Sequence, residues 1–123
     1  MAGEAIFEIG RRLKHVKEND LAHGEFGKWL ADVEIDKYEA SRYIKVYDEA
    51  SKGKLVTSAN LGLTALHLIA TLPPEQREQT HTTAKGEEKK PEDMTVKELR
   101  QLKKALKAEK EARERAESQR DME

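Results

Sequence analysis

At 123 residues, 37% hydrophobic and 38% charged, the chain falls short of the roughly 45–50% apolar content of a fully packed globule, so part of it is expected to stay solvated. It has no cysteine, which excludes disulfides and thiolate metal sites and fits a reducing cytoplasm. The formal net charge of −1 argues against extensive phosphate contact, because nucleic-acid binders usually carry a basic excess, but a local basic face remains open.

In chain order, Ile6, Ile9, Leu13 and Val16 recur at steps of three and four, the apolar stripe of a first helix. Asn19 and Asp20 can end it, and His23-Gly24 makes a break. A second short helix is expected from about Glu25 to Val33, with Phe26, Trp29, Leu30 and Val33 on one side. A third starts near Asp36, whose carboxylate can cap the first turn. SKGKLVTSAN reads as a loop, and LGLTALHLIATL as a strongly apolar helix ended by Pro73-Pro74. PPEQREQ suits one more short turn, since proline is favoured in a first turn.

Composition changes near residue 80. Both Phe, the only Trp and all three Tyr precede it, whereas THTTAKGEEKKPED after it is polar, with Gly86 and Pro91. Residues 81–93 therefore read as a flexible linker. Thr95 followed by Glu98 forms a capping box at the head of a helix rich in Ala, Glu, Lys and Arg. Leu99, Leu102 and Leu106 make a short apolar stripe on it, a candidate partner or dimer interface; the seam fails at Glu109 and Arg113. Residues 1–84 carry 11 Lys and Arg against 13 Asp and Glu, and residues 85–123 carry 12 against 11, so neither part is a basic or acidic arm.

The second and third helices are joined by a very short turn around Glu34-Ile35, the geometry of a helix-turn-helix. With Phe26 as the first position, Trp29, Val33, Ile35, Ala40 and Tyr43 fall where such a motif buries its side chains. Lys37, Tyr38, Ser41, Arg42 and Lys45 would then face outward. Arg42 suits a bidentate contact to guanine, Ser41 and Tyr38 a phosphate or a base edge, and Lys37 a phosphate at the helix N-terminus. Glu34 stands where glycine is common, Leu30 where a small residue is usual, and Glu39 would repel phosphate. The competing reading is an ordinary helical corner with a solvated charged face.

Three pieces of this region resemble a family of small proteins, mostly of unknown function, from phages and integrative elements of Gram-positive bacteria. They are Ile9-Gly10 with Leu13, Gly24-Glu25-Phe26-Gly27 with Trp29-Leu30, and Arg42-Tyr43-Ile44 with Val46. LGLTALHLIATLPPEQRE and MTVKELRQLKKALK fit the same family. A helix-turn-helix, then an apolar helix, then a Leu-Pro pair is also similar, at the level of fold, to the DNA-binding core of ParB-type partition proteins. The resemblance implies a bacterial host cytoplasm.

His15, His23, His67 and His81 show no metal-ligand spacing, and no phosphate-cradling glycine loop or nucleophile motif occurs. His67, on the apolar helix, reads as a core or boundary residue. No stretch approaches the roughly 18 apolar residues of a membrane span, and MAGEAIFEIGRRLKHV is not a secretory signal. The expectation is an all-α protein: a compact four- to five-helix domain over residues 1–80 containing the helix-turn-helix and folding without the tail, a polar linker at 81–93, and a long charged helix over 94–123. It is expected to be no enzyme, with no cofactor, metal or small-molecule substrate. The leading function is a phage or mobile-element DNA-binding regulator of transcription or replication. The alternative is an interaction module such as an antirepressor or an inhibitor capturing a host or phage protein, with a protein partner or a homodimer formed through the tail.

Overall fold

The structure, a computed structural model, describes residues 2–20, 24–53, 55 and 61–122. It is all-α apart from one small hairpin. The helices are α1 (Ala2–His15), α2 (Phe26–Asp32), α3 (Lys37–Ser51), α4 (Leu63–Ala70) and α5 (Val96–Asp121). His23 and most of the expected loop at 51–60 lie outside the described residues.

α1 lies along α3, and glycine sets how close they come. A Cβ on Gly10 would stand 2.2 Å from the Tyr43 carbonyl oxygen and 2.7 Å from the Tyr47 Cβ. Any side chain there would push the helices apart. Ile6 and Leu13, on either side of this crossing, are buried, and Phe7 packs its ring on Tyr47 at 4.9 Å between centroids. Ile9 departs from the expected stripe at 39% exposure, because the buried face of α1 is centred on Gly10 rather than on its neighbour. The helix runs into a wider π-type turn at Val16–Asp20.

Asp36 caps α3 as expected, its carboxylate accepting from the Glu39 N–H at 3.2 Å. Along α3 the inward residues include Ala40 and Val46, both with no exposed surface. α4 buries Ala65, Leu66, Ile69 and Ala70. Its last carbonyl, that of Ala70, is met from further along the chain. Arg77 donates to the Ala70 carbonyl at 2.7 Å and the Leu72 carbonyl at 3.0 Å, and to the buried Glu49 carboxylate of α3 at 2.7 Å. One guanidinium thus caps α4 and ties it to α3.

Residues 81–93, expected as a flexible linker, are built otherwise. His81–Thr82 (β1) pairs antiparallel with Glu88–Lys89 (β2). The Gly86 N–H donates to the Thr83 carbonyl at 2.9 Å, and Gly86 holds φ 84°, the left-handed residue of a three-residue hairpin loop. Pro91 opens a short 3-10 turn and is buried. The glycine and proline that resemble linker residues in sequence are the turn and the helix-start of a folded segment.

The leucine stripe is also corrected. Leu99 has no exposed surface and joins Leu66, Val46, Ile69 and Met94 in one core cluster, with Leu102 packed on it. Leu106, half-buried, lines a groove with Leu72 and Pro73. These side chains are used within the chain, because the helix packs its first turns on α4. The core therefore crosses the boundary expected at residue 80, and Met94 and Leu99 belong to it as fully as Leu66 does. A second, smaller cluster holds Leu13, Leu30 and Ala40 where α1, α2 and α3 meet.

Candidate nucleic-acid interface

α2 ends in a turn that fixes the direction of α3. The Ile35 N–H donates to the Leu30 carbonyl at 2.9 Å and the Glu34 N–H to the Ala31 carbonyl at 3.2 Å. Glu34 lies between them at φ 59°. This is a Schellman termination, and Ile35 packs in the same cluster as Leu30, the apolar contact that accompanies it. Glu34 takes the left-handed conformation usually left to glycine, at a cost of order 1 kcal/mol. The departure in sequence changes the residue and leaves the turn geometry in place.

Of the residues expected inside the motif, Ala40 is buried and Trp29, Ile35 and Tyr43 are half-buried; Leu30, standing where a small residue is usual, is buried as well. Trp29 stacks on Phe26 at 5.9 Å between ring centroids. Val33 is the exception, 45% exposed, because as the residue closing α2 it faces away from α3 into solvent.

Lys37, Tyr38, Ser41, Arg42 and Lys45 all lie on the exposed side of α3, opposite Ala40 and Tyr43. Tyr38 is 66% exposed, with the Lys37 ammonium 5.2 Å from its ring centre. Lys45 lies 3.8 Å from the Glu49 carboxylate, so its charge is partly answered within the helix. Glu49 is held below its ordinary value, chiefly by the Arg77 hydrogen bond, with Lys45 and Lys52 adding and burial opposing. Arg42 lines an open cleft of about 430 Å³ with Glu39, with Gly62 to Ala65 at the start of α4, and with Val96 at the start of α5. Three helices thus meet at Arg42.

His67, half-buried on α4, faces the same region. Burial first, then the charges of Arg42, Lys103 and Lys45, push its imidazole below the ordinary value, which leaves it neutral at pH 7. Lys103 belongs to α5. The depression of His67 thus has contributions from cations of α3 and α5 as well as from burial. Neither His67 nor Lys103 was singled out for this face by the sequence. A charge count over halves of the chain hides them, whereas a running count over four helical turns marks residues 96–110, with six Lys and Arg against two Glu.

Among the described residues no group of three His, Asp or Glu side chains could hold a metal ion, and no helix is long and apolar enough to cross a membrane. No buried side-chain nitrogen or oxygen among them lacks a hydrogen-bond partner.

Comparison with curated proteins and with solved structures yields no match. Residues 2–109 match the family described as "Protein of unknown function (DUF3102)", and over that span of helices, hairpin and docked tail the chain belongs to this family.

Proposed function

We propose that the protein is a DNA-binding regulator of a phage or integrative element, and that it reads duplex DNA through α3. The observation that carries this reading is the division of α3 into two sides. One is fully packed at Ala40 and Val46, and the other presents Lys37, Tyr38, Ser41, Arg42 and Lys45 to solvent behind a rigid Schellman turn. The ordering of elements, with an apolar helix and Leu72-Pro73 after the motif, parallels the DNA-binding core of ParB-type partition proteins, an analogy of fold alone. The reading is of a binding protein without catalysis, acting in the bacterial cytoplasm. A homodimer would match paired half-sites.

Titration of labelled duplexes at two salt concentrations tests it. Arg42→Ala should weaken specific binding by about 1–3 kcal/mol and relax sequence preference, while Lys45→Ala should weaken all sequences alike. Absence of binding to any duplex at low salt, where phosphate contacts are strongest, would overturn the reading.

A second reading has its own support. Val33 and Tyr38, large apolar side chains on either side of the turn, are 45% and 66% exposed. They favour capture of a protein, as an antirepressor or inhibitor would do. Recovery of one stoichiometric protein partner, lost on Val33→Asp/Tyr38→Asp and unaffected by nuclease, would select it.

A further inference from the structure

Among the described residues, several basic residues of this fold are paired, and six on the first half of α5 are not. Arg11 and Arg12 bond to Glu8, Lys14 to Asp48, Lys52 and Arg77 to Glu49, and Lys89 to Glu98. These charges are answered inside the chain. Lys97, Arg100, Lys103, Lys104, Lys107 and Lys110 are all exposed, and none has an ion pair among the described residues. In the same stretch the acids are Glu98 and Glu109, and Glu98 is already engaged by Lys89 at 3.2 Å and by the Thr95 N–H at 3.0 Å. On a helix of 3.6 residues per turn, the six cations fall within an arc of about 140°. Beyond residue 110 the pattern changes, and residues 111–121 carry three Arg against four acids. α5 carries nine Lys and Arg against six acids, and the excess lies wholly in the part that docks on the core.

Packing fixes where this arc faces. Leu99 and Leu102 hold the first turns of α5 on α4, Val96 lines the cleft that Arg42 also lines at the start of α4, and Lys103, Lys107 and Lys110 line the groove beside Leu72 and Pro73 at its other end. The arc is therefore joined to the outward face of α3 at one edge. From position 97 to 110 it extends about 20 Å along the helix, over which duplex DNA presents roughly 12 phosphates.

We propose that the first half of α5 is a second phosphate-contacting surface, continuous with α3 across the α3–α4–α5 junction at Arg42, so that one duplex engages both. The proposal rests on the DNA reading of α3 and divides the work. α3 meets base edges, and α5 supplies contacts that do not depend on sequence. It gives the docked tail a function that a solvated spacer would not have.

The test uses the full chain and a labelled random-sequence duplex, titrated between about 50 and 200 mM salt. Lys103→Gln/Lys107→Gln/Lys110→Gln should flatten the slope of log Kd against log salt by about 2 to 3 and weaken every duplex alike. Lys103→Arg/Lys107→Arg/Lys110→Arg should keep the slope, since the charge is retained. All three positions are exposed, so circular dichroism should be unchanged in both variants. If the wild type binds and the glutamine variant binds with the same slope, the α5 surface is overturned while the α3 reading stands. If the glutamine variant loses binding while Lys45→Ala does not, the α3 reading falls and the continuous surface with it, leaving α5 alone in contact with phosphate. If the wild type binds no duplex even at the low-salt end, both are overturned.

Discussion

α4 and α5 are neighbours held by opposite means. α4 has eight residues and buries four of them, with no side-chain cap at its start. A helix that short has no stability of its own in water, so it exists because its surroundings hold it. α5 has 26 residues and fully buries only Leu99. It carries a reciprocal capping box, the Thr95 N–H donating to Glu98 Oε1 at 3.0 Å and the Glu98 N–H to Thr95 Oγ1 at 3.1 Å. Its remaining turns are rich in strong helix formers. One helix depends on residues far away in the chain, and the other encodes its own start and propagation.

The largest effect should come from breaking what holds α4. Arg77→Ala leaves Glu49 buried without its main partner and removes the donor to the Ala70 and Leu72 carbonyls, so unfolding in denaturant should lose about 3–5 kcal/mol. That is a large share of the roughly 5–15 kcal/mol typical of a domain. The pair also sets an acid-side pH dependence. Glu49 is depressed in the folded state, so its contribution is fully present above the ordinary carboxylate value and is lost as pH falls through the lower folded one. Glu49→Gln should flatten the fall in melting temperature on that acid side and leave the neutral range unaltered in shape. An Arg77→Ala protein as stable as wild type would mean that α4 is held by apolar burial alone.

Next in size is the contact between the two helices. Leu99→Ala should cost about 2–5 kcal/mol, as for other fully buried leucines, whereas Leu106→Ala, half-buried at the groove, should cost clearly less. Chemical denaturation of both variants measures the difference. A silent Leu99→Ala would return the tail to the role of a separate element and restore residues 1–80 as the folding unit.

The same contrast explains what could be read from the sequence. The start of α5 was legible because Thr95 and Glu98 are three residues apart and act on each other. The cap of α3 at Asp36 and the apolar character of α4 were legible for the same local reason. The Glu49–Arg77 pair was not, because 28 residues separate its members and nothing in either neighbourhood marks it. The outward set on α3 followed from helical phase once the turn was placed, even with Glu34 in place of glycine. The cleft that Arg42 shares with Val96 did not, since it depends on which face of α5 lies on α4. The leucine spacing marks Leu99 as a residue that needs a partner, and the fold supplies that partner from the same chain.

Smaller still is the loss of the local start signal. Thr95→Ala removes one side of the capping box and should cost about 1 kcal/mol, within the usual range of roughly 0.5–2. Glu98→Ala should add to this by freeing Lys89 as well as the Thr95 N–H. Helix content by circular dichroism should fall only at the first turn, because Leu99 still anchors the helix to α4. A loss of several kcal/mol from Thr95→Ala would mean that the box, and not burial, decides whether α5 docks.

The smallest effect should come from cutting α5 after residue 110. From residue 107 to 122 every position is exposed, so no packing is lost. What supports this end is helix propensity, worth little to the fold. The truncated chain should keep its denaturation midpoint within about 0.5 kcal/mol, the usual bound for surface changes, while its helical signal drops by the missing turns. Repeating the melt at two protein concentrations sharpens the result. A midpoint that depends on concentration in the full chain and not in the truncated one would show that the projecting end joins two copies, since association stabilises by mass action. A midpoint independent of concentration in both would leave the end as a helix that α5's own sequence sustains.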